Sequence, residues 1–387
     1  MKSILKKVAG VALAAVLALG MFSCSNGIAY PVMETVATPE FSVDSGEVDS
    51  GTEVTITCST EGAKIYYTTD GNEPTASSTE YTAAISVTEA VTLKAIAVKD
   101  GMNNSAVASA SYTISSGNIP EGFVEVKGTT ITGNESWTPS SSVFVSGRSI
   151  TIPDMYVCDH EVTRGEFKEV MGIDPSTASA YDKDGNKLTG DAVLNNPVNY
   201  VNWYAAIAYC NKLSLKENLT PCYSVSGVTD WESLAYSSIP TSSNSTWNAL
   251  TYDEEADGYR LPTEAEWEWL ARGGENYTYA GSNTVGDVAW YTTSTNDTGS
   301  REVKTKQANG YGLYDMSGNV WEWCYDWYGT VSSSTADTGA SSGSARVLRG
   351  GSWCRNDGYC QVSFRSGGSP HYRCNFYGFR VVRSSSK

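Results

Sequence analysis

Three cysteines near the end of the chain are the residues best suited to chemistry. Cys354 and Cys360 are followed by Cys374, and the segment 354–377 around them mixes aromatic, guanidinium and amide groups with glycine. Thiolates are soft ligands that favour Cu(I). The same mixture of residues, without any amphipathic period, is also typical of an adaptable binding surface. The segment is therefore either an active site or a recognition surface.

Flanking and upstream elements must position this segment. We interpret Gly-Gly-Ser-Trp at 350–353 and Gly-Phe-Arg at 378–380 as rigid scaffold. Helical spacing of apolar residues predicts helices over 163–171 and 203–213. Thr263 and Glu266 form a capping box after Pro262, which predicts a helix to Arg272. The remainder predicts short strands and long loops, which persist only on a rigid core.

The part of the chain between residues 38 and 116 has a different pattern. Runs at 54–58, 64–68 and 91–98 alternate with period two and are separated by Asp-Gly turns. This predicts a mainly β, immunoglobulin-like sandwich. A polar stretch at 115–120 marks the boundary to an α+β, loop-rich domain over 120–385. Catalysis in the sandwich is not expected, because it has no acid pair or metal cluster; it is a spacer or a carbohydrate-binding module.

The first residues resemble an export signal. Three lysines precede an uncharged run from Val8 to Phe22, which is too short to span a membrane comfortably. Cys24 stands where bacterial lipoproteins carry their lipidated cysteine, although Met21 replaces the usual leucine. We expect a signal peptide over 1–23 and a lipidated tether over 24–37; simple secretion is the alternative. The predicted location is the bacterial cell envelope, at the outer membrane surface.

Composition limits the remaining functions. The net charge of −16 disfavours nucleic-acid binding, because acidic surfaces repel phosphate backbones. The chain has two histidines, His160 and His371, and this scarcity disfavours triad and zinc-hydrolase chemistry. We expect His160 to satisfy a backbone carbonyl and His371 to be a contact residue. The cysteines beyond Cys24 show no evident disulfide framework.

Several motifs together resemble one family. They are Glu-Val-Thr at 161–163, Val-Asn-Trp-Tyr-Ala-Ala at 201–206, Arg-Leu-Pro-Thr-Glu at 260–264, the run 309–323, and the C-terminal block. In this order they resemble the formylglycine-generating enzyme (sulfatase-modifying factor) family, which has a variant of the C-type lectin fold. Tyr-Tyr-Thr-Thr-Asp-Gly at 66–71 resembles the immunoglobulin-like module at the C-termini of chitobiases and hexosaminidases.

The resemblance implies a candidate copper site. In the family's enzymes two cysteines of the C-terminal block bind Cu(I) and activate oxygen to oxidise a substrate cysteine. Cys360 lies at the second catalytic position, counted from residues 350–352. The first falls on Arg355, because Cys354 comes one residue early. Metal sites tolerate only tenths of an ångström, so Cys354 would need a backbone bulge to serve. The enzyme hypothesis is a copper-dependent formylglycine-generating oxidase acting on a sulfatase-like substrate.

The rival hypothesis is recognition without catalysis. The family fold also occurs in lectin-like variable proteins diversified by retroelements. Between residues 354 and 386 the chain contains no Lys, Glu, Met or Trp, and most residue types there have codons ending in C, as mutated AAC codons would. We expect a surface receptor for a protein or glycan, with an envelope scaffold as a third function. For the receptor, the predicted ligand-binding residues are Arg355, Asn356, Asp357, Tyr359, His371, Tyr372, Asn375, Phe376 and Tyr377.

A calcium site is also implied. Asp315, Glu322 and the carbonyls of Gly318 and Val320 match a calcium site of the family, and oxygen-only ligation suits that ion. The alternative is that Asp315 and Glu322 cap turns and pair with arginine. We expect the indoles of this region to be core residues that bond to loop carbonyls. They are Trp267, Trp269, Trp321, Trp323, Trp327 and Trp353.

Overall fold

The structure, a computed structural model, describes residues 33–48, 51–114, 119–296 and 298–385. It divides into two compact units, the first ending at Ile114 and the second starting at Ser115. The predicted signal peptide, Cys24 and most of the tether lie outside the described residues. Within the described ranges, no helix combines the length and the apolar character that a bilayer crossing needs.

The first unit is built of short strands around a small core. A five-stranded sheet has the order β2-β9-β8-β5-β6, and β1-β4 and β3-β7 form two further pairs. The core of this unit includes the buried side chains of Val54, Val87, Leu93 and Tyr112. The strands are β1 Glu40–Phe41, β2 Gly46–Val48, β3 Thr52–Val54, β4 Ile56–Thr57, β5 Lys64–Thr68, β6 Thr79–Glu80, β7 Ile85–Val87, β8 Val91–Val98 and β9 Ala108–Ile114.

One predicted strand of this unit is wrong. The run 54–58 does not form a single strand, since β3 pairs with β7 while β4 pairs with β1. Thr55 lies at the break, where its N–H donates to Ser42 Oγ and its carbonyl accepts from Ser42 N. Both backbone groups of Thr55 are therefore hydrogen-bonded to Ser42, and the chain passes there from the β3-β7 pair to the β1-β4 pair.

The second unit has more strands, and all of them are short. They are β10 Phe123–Val126, β11 Thr129–Ile131, β12 Ile150–Ile152, β13 Met155–Cys158, β14 Ala180–Tyr181, β15 Tyr223–Ser224, β16 Thr251–Tyr252, β17 Ala289–Trp290, β18 Ser300–Arg301, β19 Ser317–Gly318, β20 Trp321–Trp327, β21 Arg346–Arg349, β22 Ser366–Gly368, β23 Tyr377–Gly378 and β24 Val382–Ser384. A four-stranded sheet has the order β22-β21-β20-β23, and β13 lies between β10 and β24, which brings the two ends of the unit together.

The predicted helices are present, with ends set by local signals. The helices are α1 Arg164–Met171, α2 Trp203–Lys216, α3 Ser245–Asn248, α4 Glu264–Arg272, α5 Val285–Val288 and α6 Thr292–Thr295. Thr163 caps α1 and Thr263 caps α4, each through a complete capping box, and both helices end at a left-handed glycine. The capping-box prediction for α4 is therefore confirmed.

Buried ion pairs hold the loop-rich unit together. Glu264 binds Arg365 through both carboxylate oxygens, and Glu268 binds Arg349 and Arg272. Each of these carboxylates lies on α4, and Arg349 ends β21. The pairs therefore fix α4 against the four-stranded sheet. A buried charge is tolerated because it is paired and hydrogen-bonded.

Most of the predicted core tryptophans are buried. Trp267, Trp321, Trp323 and Trp353 are inaccessible or nearly so, whereas Trp269 and Trp327 are half-buried. Trp323 Nε1 donates to the carbonyl of Val201 at 3.0 Å, as expected. Trp267 differs, because its Nε1 donates to the Glu322 carboxylate at 2.7 Å.

Candidate functional site

Two buried scaffold motifs frame the segment 354–377. Gly350 and Gly351 have φ of 90° and 78°, in the left-handed region that favours glycine. A Cβ on Gly351 would lie 2.9 Å from Cys360 Sγ and 2.8 Å from the Tyr359 carbonyl. At the other end, the Phe379 and Arg380 side chains are fully buried. The segment therefore leaves and re-enters the core at two rigid points.

Cys354 and Cys360 pack in two separate apolar clusters. Cys360 is fully buried with Tyr279, Val288 and Ala289. Burial, followed by the charge of Asp357, raises the pKa of its thiol to about 12. Cys354 instead packs beside Val320 and Trp353. Cu(I) binds thiolates that converge on one open site, whereas these two thiols pack in different apolar clusters. The copper site that the resemblance implies therefore stays a prediction.

The predicted ligand-binding residues all lie at the surface or partly exposed. Arg355, Asn356, Asp357, Tyr359 and Tyr372 are exposed. The side chains of His371, Asn375, Phe376 and Tyr377 are half-buried. The positions are open to a ligand, in contrast to the buried motifs on either side.

Aromatic contacts connect five of these nine positions into one array. The Arg355 guanidinium lies 4.8 Å above the Phe376 ring, and Phe376 contacts Tyr377 with ring centroids 5.2 Å apart. The ring centroids of Tyr377 and Tyr372 lie 6.1 Å apart. Tyr372 is 54% exposed. Tyr359, which is 38% exposed, packs on Trp321, the strand neighbour of Tyr377. We call residues 355, 359, 372, 376 and 377 the aromatic face.

Glu322, one of the residues expected to bind calcium, has another partner. Both of its carboxylate oxygens accept hydrogen bonds from Arg380, at 2.7 and 2.8 Å. Glu322 therefore does not fit the role of a calcium ligand here, and its pairing with arginine corresponds to the alternative that the sequence left open.

Asp315 lies in the same buried region but is less well satisfied. Its Oδ2 accepts the Lys304 N–H at 2.8 Å, while its Oδ1 has no hydrogen-bond partner within the described ranges. Burial raises the pKa of Asp315 to about 6, against the opposing effects of the Lys304 N–H and Arg380. Burial also raises the pKa of Glu161 well above its usual value, and the charges of Asp315 and Glu322 act in the same direction.

A third group of ligand-type side chains was missed in the sequence. Cys158, His160 and Glu166 place their sulfur, nitrogen and oxygen ligand atoms within 4.8 Å of one another. The expectation that His160 satisfies a backbone carbonyl is wrong, since its ring nitrogens face Asp159 at 2.5 Å and Glu166 at 3.2 Å. The Cys-x-His spacing was the available signal, but the capping residue Glu166 completes the group only in three dimensions.

Comparison with known proteins covers both units. Residues 107–385 match the sulfatase-modifying factor enzyme 1-like domain, and residues 43–109 match the chitobiase/beta-hexosaminidase C-terminal domain. The chain is 34% identical over 258 residues to the "Chaperone protein LppX" of Paenibacillus barcinonensis, covering 62% of this chain and 83% of that protein. It is 38% identical over 160 residues to the formylglycine-generating enzyme of Streptomyces coelicolor, covering 36% of this chain but only 51% of the enzyme.

Solved structures give a similar result. "Treponema denticola variable protein 1" superposes with a TM-score of 0.60 at 37% identity, over 68% of this chain and 94% of that one. The crystal structure of CarF superposes with a TM-score of 0.51 at 25% identity, over 69% and 99% of the two chains.

Proposed function

Since this chain belongs to the sulfatase-modifying factor enzyme 1-like family, we propose that it is a non-catalytic ligand-binding protein of the bacterial envelope. The observation that carries the proposal is the aromatic face, with Arg355 stacked on Phe376 and both Tyr359 and Tyr372 exposed. The burial of Cys360 in a cluster that does not include the half-buried Cys354 supports it, because an oxidase needs both thiols at one accessible copper centre.

Binding would rely on a few anchors held by a rigid base. Arginine and tyrosine are enriched among the few residues that carry most of the energy in many interfaces. Tyrosine buries a large amphipathic surface at a small entropic cost. The glycine turn at 350–351 and the buried Phe379 and Arg380 hold the ends of the segment in place. Because the base is fixed, the side chains between can vary without loss of the fold.

The ligand class is proposed to be a polypeptide, in preference to a glycan. The chain resembles a protein named a chaperone over 83% of that protein's length, and a chaperone binds polypeptides. The similarity to a Treponema denticola protein named as variable supports a surface whose side chains change between copies. Both features agree with a face made of tyrosine, phenylalanine and arginine, within a segment that also contains Asn and Ser.

A photo-crosslinking experiment tests this function. The photoreactive residue p-benzoylphenylalanine would replace Tyr359 or Tyr372 in the full-length protein on intact cells. The matched control is Ile173, which is 43% exposed and follows α1 outside the face. We expect a discrete polypeptide adduct from positions 359 and 372 and none from 173. Equal crosslinking from all three positions, or none from the face in cells that display the protein, would count against the proposal.

The proposed anchor needs its own test. Mass spectrometry of protein purified from membranes should show a diacylglyceryl group at Cys24, with the preceding residues removed. The anchor is expected because Cys24 directly follows an uncharged run behind basic residues. Release of unmodified soluble protein would remove the anchor and leave the ligand-binding function in place.

A second function is the oxidase, favoured by the 38% identity to the Streptomyces coelicolor formylglycine-generating enzyme. It requires Cys354 and Cys360 to rearrange around Cu(I). A Cu(I) titration under reducing conditions distinguishes the two hypotheses, because only the oxidase requires both thiols to bind copper.

A further inference from the structure

Cys158, His160 and Glu166 form a compact set of metal-ligand side chains that the proposed function does not use. Cys158 is the last residue of β13, and His160 follows two residues later. Glu166 lies in the first turn of α1. Their three ligand atoms lie within 4.8 Å of one another, and in the described part of the chain no other group of three His, Cys, Asp or Glu side chains does this.

Local structure aims Glu166 at the histidine. Its Oε2 accepts hydrogen bonds from the Thr163 backbone N–H at 2.7 Å and hydroxyl at 2.8 Å, as part of the capping box. This fixes the carboxylate and leaves Oε1 at 3.2 Å from His160 Nε2. A tetrahedral zinc ion separates its nitrogen and oxygen ligands by about 3.4 Å, given bond lengths near 2.1 Å. The distance between His160 Nε2 and Glu166 Oε1 is therefore close to the distance between two ligand atoms on one zinc ion.

The other ring nitrogen has the partner that metal-binding histidines usually have. His160 Nδ1 lies 2.5 Å from Asp159 Oδ1 and 3.8 Å from Cys158 Sγ, and Asp159 Oδ2 accepts from Lys304 Nζ at 2.6 Å. A carboxylate bound at one ring nitrogen fixes the tautomer and leaves the other nitrogen for the ion. Asp159 thus orients His160, and Lys304 orients Asp159.

An acidic cavity opens onto the group. It has a volume of about 460 Å³ and is lined by Cys158, His160 and Glu166. Glu121, Glu169 and Glu217 line it as well, against the single lysine Lys216. Such a lining attracts a cation and leaves room for a water or an external ligand at the fourth coordination position.

We propose that Cys158, His160 and Glu166 bind a divalent transition-metal ion, zinc foremost, with a fourth position open to this cavity. One thiolate, one imidazole and one carboxylate are donors that zinc accepts together, and three protein ligands with one open position are typical of reactive rather than purely structural zinc sites. The site does not depend on the aromatic face.

The test is a zinc titration of the purified full-length protein against a chromophoric chelator, with the stoichiometry checked by native mass spectrometry. We expect one zinc per chain. Cys158→Ser, His160→Gln and Glu166→Gln should each abolish stoichiometric binding, and Asp159→Asn should weaken it by about tenfold to a hundredfold. The Glu166→Gln variant keeps an oxygen for the capping box, so its fold should be retained.

Each variant has a matched control in the same chain. Cys222→Ser removes a buried thiol elsewhere in the unit, His371→Gln removes the other histidine, and Glu169→Gln removes a carboxylate of the same cavity. All three should bind zinc like the parent protein. Zinc binding that survives in the three ligand variants, or that is lost equally in the controls, overturns the proposal.

A spectroscopic measurement keeps the test decisive if a buried variant folds poorly. Cobalt(II) replaces zinc in tetrahedral sites, and a thiolate ligand gives it a charge-transfer band in the near ultraviolet. We expect that band in the parent protein and in the Cys354→Ser and Cys360→Ser variants. Its absence from the parent protein at saturating cobalt, or its loss only with Cys354 or Cys360, refutes ligation by Cys158.

Discussion

The Arg380 guanidinium donates to both carboxylate oxygens of Glu322, from Nε to Oε2 at 2.8 Å and from Nη2 to Oε1 at 2.7 Å. Both side chains are fully buried. The pair ties the Gly-Phe-Arg motif at 378–380 to β20, and Arg380 Nη1 also donates to the Cys158 carbonyl at 3.0 Å. The C-terminal end of the segment 354–377 is therefore fixed by a buried ion pair.

Breaking this pair should strongly destabilise the second unit. Removing one partner leaves an unpaired buried charge, so Arg380→Leu should lower the free energy of unfolding by about 3 to 5 kcal/mol. The double variant Glu322→Leu/Arg380→Leu should lose less than the sum of the single variants. Urea unfolding measures these differences. Lys183→Gln, in the exposed pair with Asp184, is the control and should change nothing measurable. Additive single effects would contradict a coupled pair.

Stability should depend on pH through Asp326. Burial, followed by the charge of Glu264, raises the pKa of Asp326 to about 8, although the Glu264 N–H and Arg148 oppose the shift. The folded protein then holds a proton that the unfolded chain has lost. Between about pH 4 and pH 8, raising the pH should therefore lower stability, by up to about 1.4 kcal/mol per pH unit.

The Asp326→Asn variant should reduce that dependence without abolishing it. An amide cannot ionise and its oxygen can still accept the Glu264 N–H, but the raised pKa values of Asp315 and Glu161 act in the same direction. Thermal unfolding from pH 4 to pH 9 measures the effect. Asp184→Asn, at an exposed position, should keep the parent slope. An identical slope in the parent protein and in the Asp326 variant would mean that another group governs this range.

Copper binding through Cys360 is expected to be absent. The thiol is buried and its pKa is raised to about 12, and Cys354 packs in a different cluster. A Cu(I) titration under reducing conditions should therefore give the same result for the parent protein and for Cys360→Ser. Cys210→Ser, another buried thiol, serves as the control. Stoichiometric binding lost in Cys360→Ser alone, with oxygen consumption on a cysteine peptide, would establish the oxidase instead.

Calcium should have little effect on stability. The Glu322 carboxylate is occupied by Arg380 and Trp267, so the expected ligand set lacks its strongest donor. Melting temperatures with a chelator and with excess calcium should agree. A calcium-induced increase that disappears in Asp315→Asn would instead show that Asp315, whose Oδ1 lacks a partner among the described residues, binds the ion.

Programmed diversification can be tested in genomic DNA. If residues 354–377 belong to a variable region, a near-copy of their coding sequence should lie close to a reverse-transcriptase gene. Differences between the copies should fall at adenines of that template and spare the codons of Gly350, Gly351 and Phe379, where a glycine turn or a buried ring tolerates little change. The absence of a template, or substitutions at all four bases, would indicate a fixed recognition surface.

Local features of this chain could be predicted well from the sequence. Thr163 and Thr263 each precede a glutamate by three residues, so their capping boxes can be predicted from a four-residue stretch of sequence. The helices α1, α2 and α4 and the strands β5 and β8 follow from short-range periodicity in the same way. The exposure of Arg355, Tyr359 and Tyr372 was expected from residue type, because few apolar cores contain Arg, Asn and Tyr in that mixture. Ligand binding by the aromatic face stays a prediction.

Tertiary structure decided every feature that joins distant parts of the chain. Glu322 could be a calcium ligand or an arginine partner until the fold placed Arg380 against it. The separation of Cys354 from Cys360 depends on which cluster each thiol enters. His160 and Glu166 meet because β13 ends beside the first turn of α1. In each case the energy of a buried polar group depends on partners that sequence separation does not reveal, since only the packed chain brings them within hydrogen-bond distance.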